Sequence, residues 1–198
     1  MRKTLAAFVV AALLSGAAMA HEKGTWIGRF GVTKVDPKSD NHPVVDVDDN
    51  IQLNLNAVYF FTDNLAIDIL ASTPFTHDIL LKDGTKAGET KHLPPTISLQ
   101  YHFGSSDWFY PYIGAGVNFT LFFDEETTGP LAGAELSLEE SFGVAAQLGA
   151  DFRINDRWYF NVDARWINIE TEAQLDGASI GDVEIDPLVY GMSFGFEF

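Results

Sequence analysis

From Leu188 to the end of the chain, alternate positions read Leu188, Tyr190, Met192, Phe194, Phe196 and Phe198, while Val189, Gly191, Ser193, Gly195 and Glu197 lie between them. A period of two with one greasy face predicts a β-strand with that face in a nonpolar medium. The pattern recurs along the chain. Ile51, Leu53, Leu55, Ala57, Tyr59 and Phe61 alternate with Gln52, Asn54 and Asn56, and Ile97, Leu99, Tyr101 and Phe103 alternate with Ser98, Gln100 and His102. Further strands are predicted around Ile113–Phe123, Phe142–Phe152 and Trp158–Trp166, a shorter one at Leu65–Leu70, and a weaker first strand near Thr25–Val35, where Trp26, Gly28, Phe30 and Val32 share a face.

Between these runs, short turn-like stretches (Thr62–Asn64, Gly104–Asp107, Asn155–Arg157) alternate with longer polar ones (Asp36–Asn50, Thr76–Pro94, Asp124–Glu135, Glu172–Glu184). Seven connections imply eight strands. Short turns on one side and long loops on the other fit an all-β, eight-stranded antiparallel transmembrane β-barrel, with periplasmic turns and extracellular loops.

A soluble sandwich would also alternate, so the strand ends decide. Tyr59, Phe61, Tyr101, Phe103, Trp108, Tyr110 and Trp158 gather beside the short turns, and Phe75, Phe119, Phe123 and Trp166 lie toward the long loops. Two aromatic belts are what two membrane interfaces select. Charge placement agrees. Asp68, Asp151, Arg153, Asp163 and Arg165 all fall on the polar phase of their strands, which places them in the lumen, because a basic group facing lipid at mid-bilayer costs ~2–4 kcal/mol. An eight-stranded interior is filled by side chains or holds one small ligand, which excludes a wide porin.

The chain begins with Arg2 and Lys3, an apolar run from Leu5 to Leu14 and a small-residue site at Ala18-Met19-Ala20. This is the form of a signal peptide over residues 1–20, leaving one domain over 21–198. The apolar run is too short to span ~30 Å of hydrocarbon as a helix. There is no cysteine, and closing the barrel removes the edge strands instead. Taking Arg2 and Lys3 from 12 basic residues leaves 10 against 28 acidic ones, a net charge of −18. Nucleic acid is therefore excluded as a partner. The acidic residues read as solvated loops, with contact to divalent cations among anionic surface lipids as the sharper alternative.

No chemistry emerges from the remaining polar residues. His77, Asp78, Asp83, Glu89 and His92 share a loop, but their spacing fits no metal motif. Ser98 and His102 share a strand face but are ~13 Å apart along the strand, so no catalytic triad forms. No enzyme activity, metal or cofactor is expected.

The stretches His21–Gly24, Ala71–His77, His92–Thr96, Tyr110–Thr120 continuing to Phe122–Glu125, Ser141–Gly143 with Gln147, Gly149 and Asp151, and Ile185–Pro187 occur in an order and spacing that resembles the outer-membrane protein W (OmpW) family across 21–198. The resemblance implies a monomeric barrel in the outer membrane of a Gram-negative bacterium, among lipid and lipopolysaccharide. It also implies passage of a small apolar solute from outside, down to a floor in the lumen, and sideways into the bilayer. Some members of the family instead act in stress responses or as toxin or phage receptors, so the alternative is a non-transporting barrel that acts through its acidic loops. By alignment, Leu70 matches an apolar floor residue of the family. Its partner position, aromatic in some relatives, falls on Arg165, with Trp166 on the lipid phase. The floor here is therefore expected to be a polar cluster of Asp68, Asp163 and Arg165, either a gate or a salt-bridge plug that only stabilises the barrel. Proline removes a ladder donor, which makes the strand ends near Pro74, Pro94, Pro95 and Pro187 candidates for a lateral opening.

Overall fold

The computed structural model describes residues 21–38, 42–104 and 106–198; the expected signal peptide, parts of the first long loop and Ser105 of one turn lie outside them. Fourteen strands follow in order: β1 (Trp26–Asp36), β2 (Val45–Val47), β3 (Asn50–Phe60), β4 (Leu65–Ser72), β5 (Phe75–Leu81), β6 (Lys86–Leu93), β7 (Thr96–His102), β8 (Phe109–Thr127), β9 (Leu136–Leu138), β10 (Ser141–Arg153), β11 (Trp158–Ile167), β12 (Glu170–Leu175), β13 (Ala178–Glu184) and β14 (Leu188–Glu197).

Eight of these close the predicted barrel in the cyclic order β1–β3–β4–β7–β8–β10–β11–β14. Closure comes from β1 against β14, with a register running from Ile27↔Glu197 to Asp36↔Leu188. Every wall strand is thus paired on both sides, as an unhydrated bilayer core requires. The outward positions are the greasy ones: Leu53, Leu55, Phe142, Leu148 and Met192 are all more than half exposed. Inward positions are buried and mostly polar, including Asn54, Asn56, Asp68, Gln100, Gln147, Asn161 and Ser193. The barrel is inside-out relative to a soluble protein.

Three expectations about side-chain placement are corrected. Tyr110 (5 % exposed) and Phe75 (2 % exposed) do not belong to the aromatic belts. Tyr110 lies on the inward phase with Tyr112, and Phe75 starts a strand beyond Pro74 that no longer follows the phase of β4. Arg153 is on the inward phase but at the rim, where it is exposed and donates from Nε to the Asn155 carbonyl at 3.2 Å.

The long connections are also more ordered than their polarity suggests. β5 and β6 form a hairpin that continues onto the upper half of β8, from Leu93↔Leu121 to Gly88↔Thr127, and β2 pairs with β5. Across the mouth, β13, β12 and β9 form a separate sheet. Surface ion pairs lace these extensions, among them Lys82–Asp46 (2.6 Å), Lys86 with Asp78 and Glu89 (both 2.8 Å), and Lys91–Asp124 (3.1 Å). Each is worth little alone, so the chief support of the extensions is the continued strand pairing. Beyond the bilayer no lipid selects one apolar face, and the period-two signal fades although strands persist.

Candidate functional site: the lumen and its extracellular chamber

The lumen is layered. At the periplasmic end Ile27, Val58, Phe60, Ala66, Tyr110 and Tyr159 form an apolar plate. Above it lies a polar layer built from six strands. Arg165 on β11 donates from Nη2 to Asp68 Oδ2 on β4 at 2.9 Å, and from Nε to Asp163 Oδ1 at 2.8 Å. Asp68 Oδ1 accepts from Asn56 Nδ2 at 2.8 Å. Arg29 on β1 donates to Asp151 Oδ2 on β10 at 2.6 Å and sits 5.3 Å from the Tyr112 ring centroid. Asn161 bonds the second Asp151 oxygen at 2.9 Å and the Tyr112 hydroxyl at 3.1 Å. Buried charge is tolerable only when paired in this way. Small residues opposite make the room: a Cβ on Gly191 would lie 2.3 Å from Asp163 Oδ2, and one on Gly149 would lie 2.5 Å from the Tyr112 side chain.

The structure therefore gathers Asp68, Asp163 and Arg165 into one cluster across the lumen. Leu70 also points inward, 6 % exposed, but Arg165 reaches Asp68, two residues below it, rather than facing Leu70. Sequence reasoning missed Arg29, although its inward phase between outward Gly28 and Phe30 was the available signal.

Above the polar layer come Val35, Phe75, Ala145, Ile167 and Val189, part of a second apolar cluster. Over these the two extension sheets enclose a cavity of about 270 Å³, walled by Val47, Ala87, Phe122, Leu138, Ala173, Val183 and Ile185. Its polar members are chiefly histidines. His77 and His92 stack at 4.8 Å between centroids with planes 9° apart, and each is 1 % exposed. The sequence placed both only in a polar loop. The Asp48 carbonyl accepts from His77 Nδ1, which leaves Nε2 unprotonated in the neutral ring. Burial holds the His77 pKa below its usual value. Burial, and then the neighbouring His77, push His92 down to about 3.

This gives a signed pH dependence. An unfolded histidine titrates near 6.5. Between that value and the folded pKa, the unfolded chain binds more protons. The chamber is therefore fully stable above about pH 6.5 and loses stability as the pH falls toward 3. Binding of an apolar fluorophore should weaken on going from neutral to acidic solution, and a His92→Phe variant should flatten that dependence in the same titration.

The wall beside the chamber is interrupted. The β4–β7 ladder stops at Leu70↔Thr96, and the β5–β6 ladder begins at Phe75↔His92. No ladder pair joins residues 71–74 to 93–95, the stretch that holds Pro74, Pro94 and Pro95. Each lip is held from outside instead: Thr73 N donates to Leu53 O at 3.0 Å, and Phe119 N donates to Pro95 O at 3.1 Å. On the lipid side a cleft bounded by Phe30, Val32, Leu53, Leu55, Ala71 and Thr73 adjoins the β4 lip. Pro187 is different and drops out as an opening. Ile167 N donates to its carbonyl at 3.2 Å, and Leu188 next to it is paired on both sides.

The sequence profile of the OmpW family matches residues 22–198. The chain belongs to the OmpW family. Outer membrane protein W of Vibrio cholerae is 41% identical over the whole of both chains. The Escherichia coli protein of that name is 40% identical over 98% of each. Among solved structures, OprG from Pseudomonas aeruginosa superposes with a TM-score of 0.79 at 33% identity, covering 91% of this chain and 98% of its own. A more distant relative from P. aeruginosa, 24% identical over 89% of this chain and 90% of its own, carries the name Dibenzothiophene metabolism operon protein. This OmpW-family chain is an outer-membrane β-barrel, and its relatives are outer-membrane barrel proteins.

Proposed function

We propose that the barrel admits small apolar molecules from outside the cell into the extracellular chamber and releases them sideways through the broken wall into the outer membrane. The role is passive and involves no chemical step. One observation carries the reading: an apolar cavity stands directly over a lumen filled with paired charges, so a greasy solute that enters has no straight way down. Transferring it into the charged layer would strip hydrogen bonds from buried ionic groups. Leaving between 71–74 and 93–95 requires no ladder hydrogen bond to be broken. The relative named for dibenzothiophene metabolism points to solutes of the same apolar class. Asp68, Asp163 and Arg165 then act as the closed floor, with Leu70 above them, and a single barrel suffices.

The absence of cysteine makes the seam directly testable. Continuing the β4–β7 register by one step would set Ala71 opposite Pro95. A paired Ala71→Cys/Pro95→Cys variant, oxidised, should slow uptake of an alkane or aromatic hydrocarbon about tenfold and recover on reduction. Undiminished uptake in the cross-linked barrel would refute lateral release. Equal uptake by cells lacking the protein would instead favour a barrel that works through its acidic loops alone.

A further inference from the structure

At the periplasmic end of the lumen, three side chains far apart in sequence converge. His21 (6 % exposed) enters ahead of β1, His102 (0 %) ends β7, and Asp151 (0 %) lies on β10. One ligand-type atom from each lies within 4.8 Å of the others. Nothing in the proposed transport route uses them.

Their outer partners decide what this cluster is suited to bind. Gln100 Oε1 can only accept, so the 2.8 Å contact with His102 Nε2 places the proton on Nε2. The unprotonated Nδ1 then faces Asp151 Oδ2 at 3.8 Å, and it is buried with no hydrogen-bond partner. His21 Nδ1 lies 3.8 Å from Glu197 Oε2, an ion-pair rather than a hydrogen-bond distance, and its Nε2 is buried and unpartnered. The unprotonated His102 Nδ1, an unpartnered His21 nitrogen and a carboxylate thus converge on one point. Acceptors crowded in a dry site need a cation or a proton between them. His102 directing its other nitrogen to the Gln100 carbonyl oxygen is the outer shell that metal-ligating histidines characteristically have.

The local charge agrees. Arg29 donates from Nη2 to Asp151 Oδ2, while its Nε and Nη1 have no hydrogen-bond partner. The two buried arginines, Arg29 and Arg165, face three carboxylates, Asp68, Asp151 and Asp163, so the closed interior keeps a surplus of negative charge. Phe60, Tyr110 and Tyr159 enclose His21 at ring-centroid distances of 4.3, 5.0 and 5.4 Å and shield the point from water.

We infer that His21, His102 and Asp151 form a binding site for a divalent transition cation, with zinc or copper favoured by two imidazoles and one carboxylate. A tetrahedral zinc sets its ligand atoms about 3.4 Å apart, so the two rings close inward on binding. The cation clamps the start of the described chain to the barrel floor, through β7 and β10 at once.

Zinc is the probe, on full-length barrel purified without a polyhistidine tag and stripped with chelator. After dialysis, elemental analysis should find one zinc per chain in the wild type and in His42→Ala, and none in His21→Ala or His102→Ala. Gln100→Ala removes no ligand but frees the His102 ring, so its affinity should fall about 10- to 100-fold. Folding of each variant is read from heat-dependent migration in detergent gels. X-ray absorption at the zinc edge of the wild type needs no variant at all and should show a nitrogen and oxygen shell with two imidazoles. A folded wild type that retains no zinc, retention that survives both histidine substitutions, or a shell poor in imidazole would each overturn the assignment.

Discussion

Arg165→Ala is expected to destabilise the barrel by about 3–5 kcal/mol, the usual consequence of removing one partner from a buried ion pair. Arg165 Nη2 meets Asp68 Oδ2 at 2.9 Å, and Nε meets Asp163 Oδ1 at 2.8 Å. The truncation therefore leaves two buried carboxylates without their cation. Urea unfolding from lipid vesicles, followed by tryptophan fluorescence, measures the loss. A neutral triple variant, Asp68→Asn with Asp163→Asn and Arg165→Gln, removes all three charges but keeps polar groups that can pair, and should recover most of it. Recovery matters for function as well. If solutes leave sideways, the triple variant takes up hydrocarbon at the wild-type rate. Faster uptake would show that solutes pass the floor. Arg165→Trp confounds the two questions, because it changes floor chemistry and breaks the ion pair together.

Ala173→Trp should close the chamber. Ala173 is 3 % exposed and contributes to the cavity wall from β12, so an indole there points into the ligand space. Excluding the equivalent of four methylenes costs a bound chain ~3 kcal/mol, or roughly a 100-fold loss of affinity. Titration with a fluorescent fatty alcohol reads the affinity, and hydrocarbon uptake by cells reads its consequence. Because β12 belongs to the extension sheet and not to the barrel wall, folding of the transmembrane part should be unaffected. Unchanged affinity would place the binding site elsewhere.

The membrane part of this fold was legible because lipid imposes a rule that sequence records one residue at a time. Leu53 and Leu55 must face out and Asn54 must face in, and they do. The same rule placed Asp68, Asp163 and Arg165 inside without saying which carboxylate Arg165 would reach. Arg29 was equally readable, but it sat in the first strand, where Gly28 and Gly31 weaken the alternation. Outside the bilayer the rule lapses. Nothing in the polar loop pattern says that the β5–β6 hairpin stacks His77 on His92. His21, His102 and Asp151 carry no mutual signal at all, since only barrel closure and the tuck of the chain ahead of β1 bring them together. Ladder pairing is interrupted around Pro74, Pro94 and Pro95. It continues at Pro187, because proline removes a donor but leaves its carbonyl free to pair.

β8 runs unbroken for 19 residues, Phe109–Thr127, through both the bilayer barrel and the outer sheet. The two strand pairs across the wall from it, β4 with β5 and β7 with β6, are each cut at proline. Both lips of the gap are thus jointed, and the 93–95 lip is backed by a single continuous strand. If solutes leave as proposed, the proline joints let the lips part while β8 holds the outer sheet to the barrel.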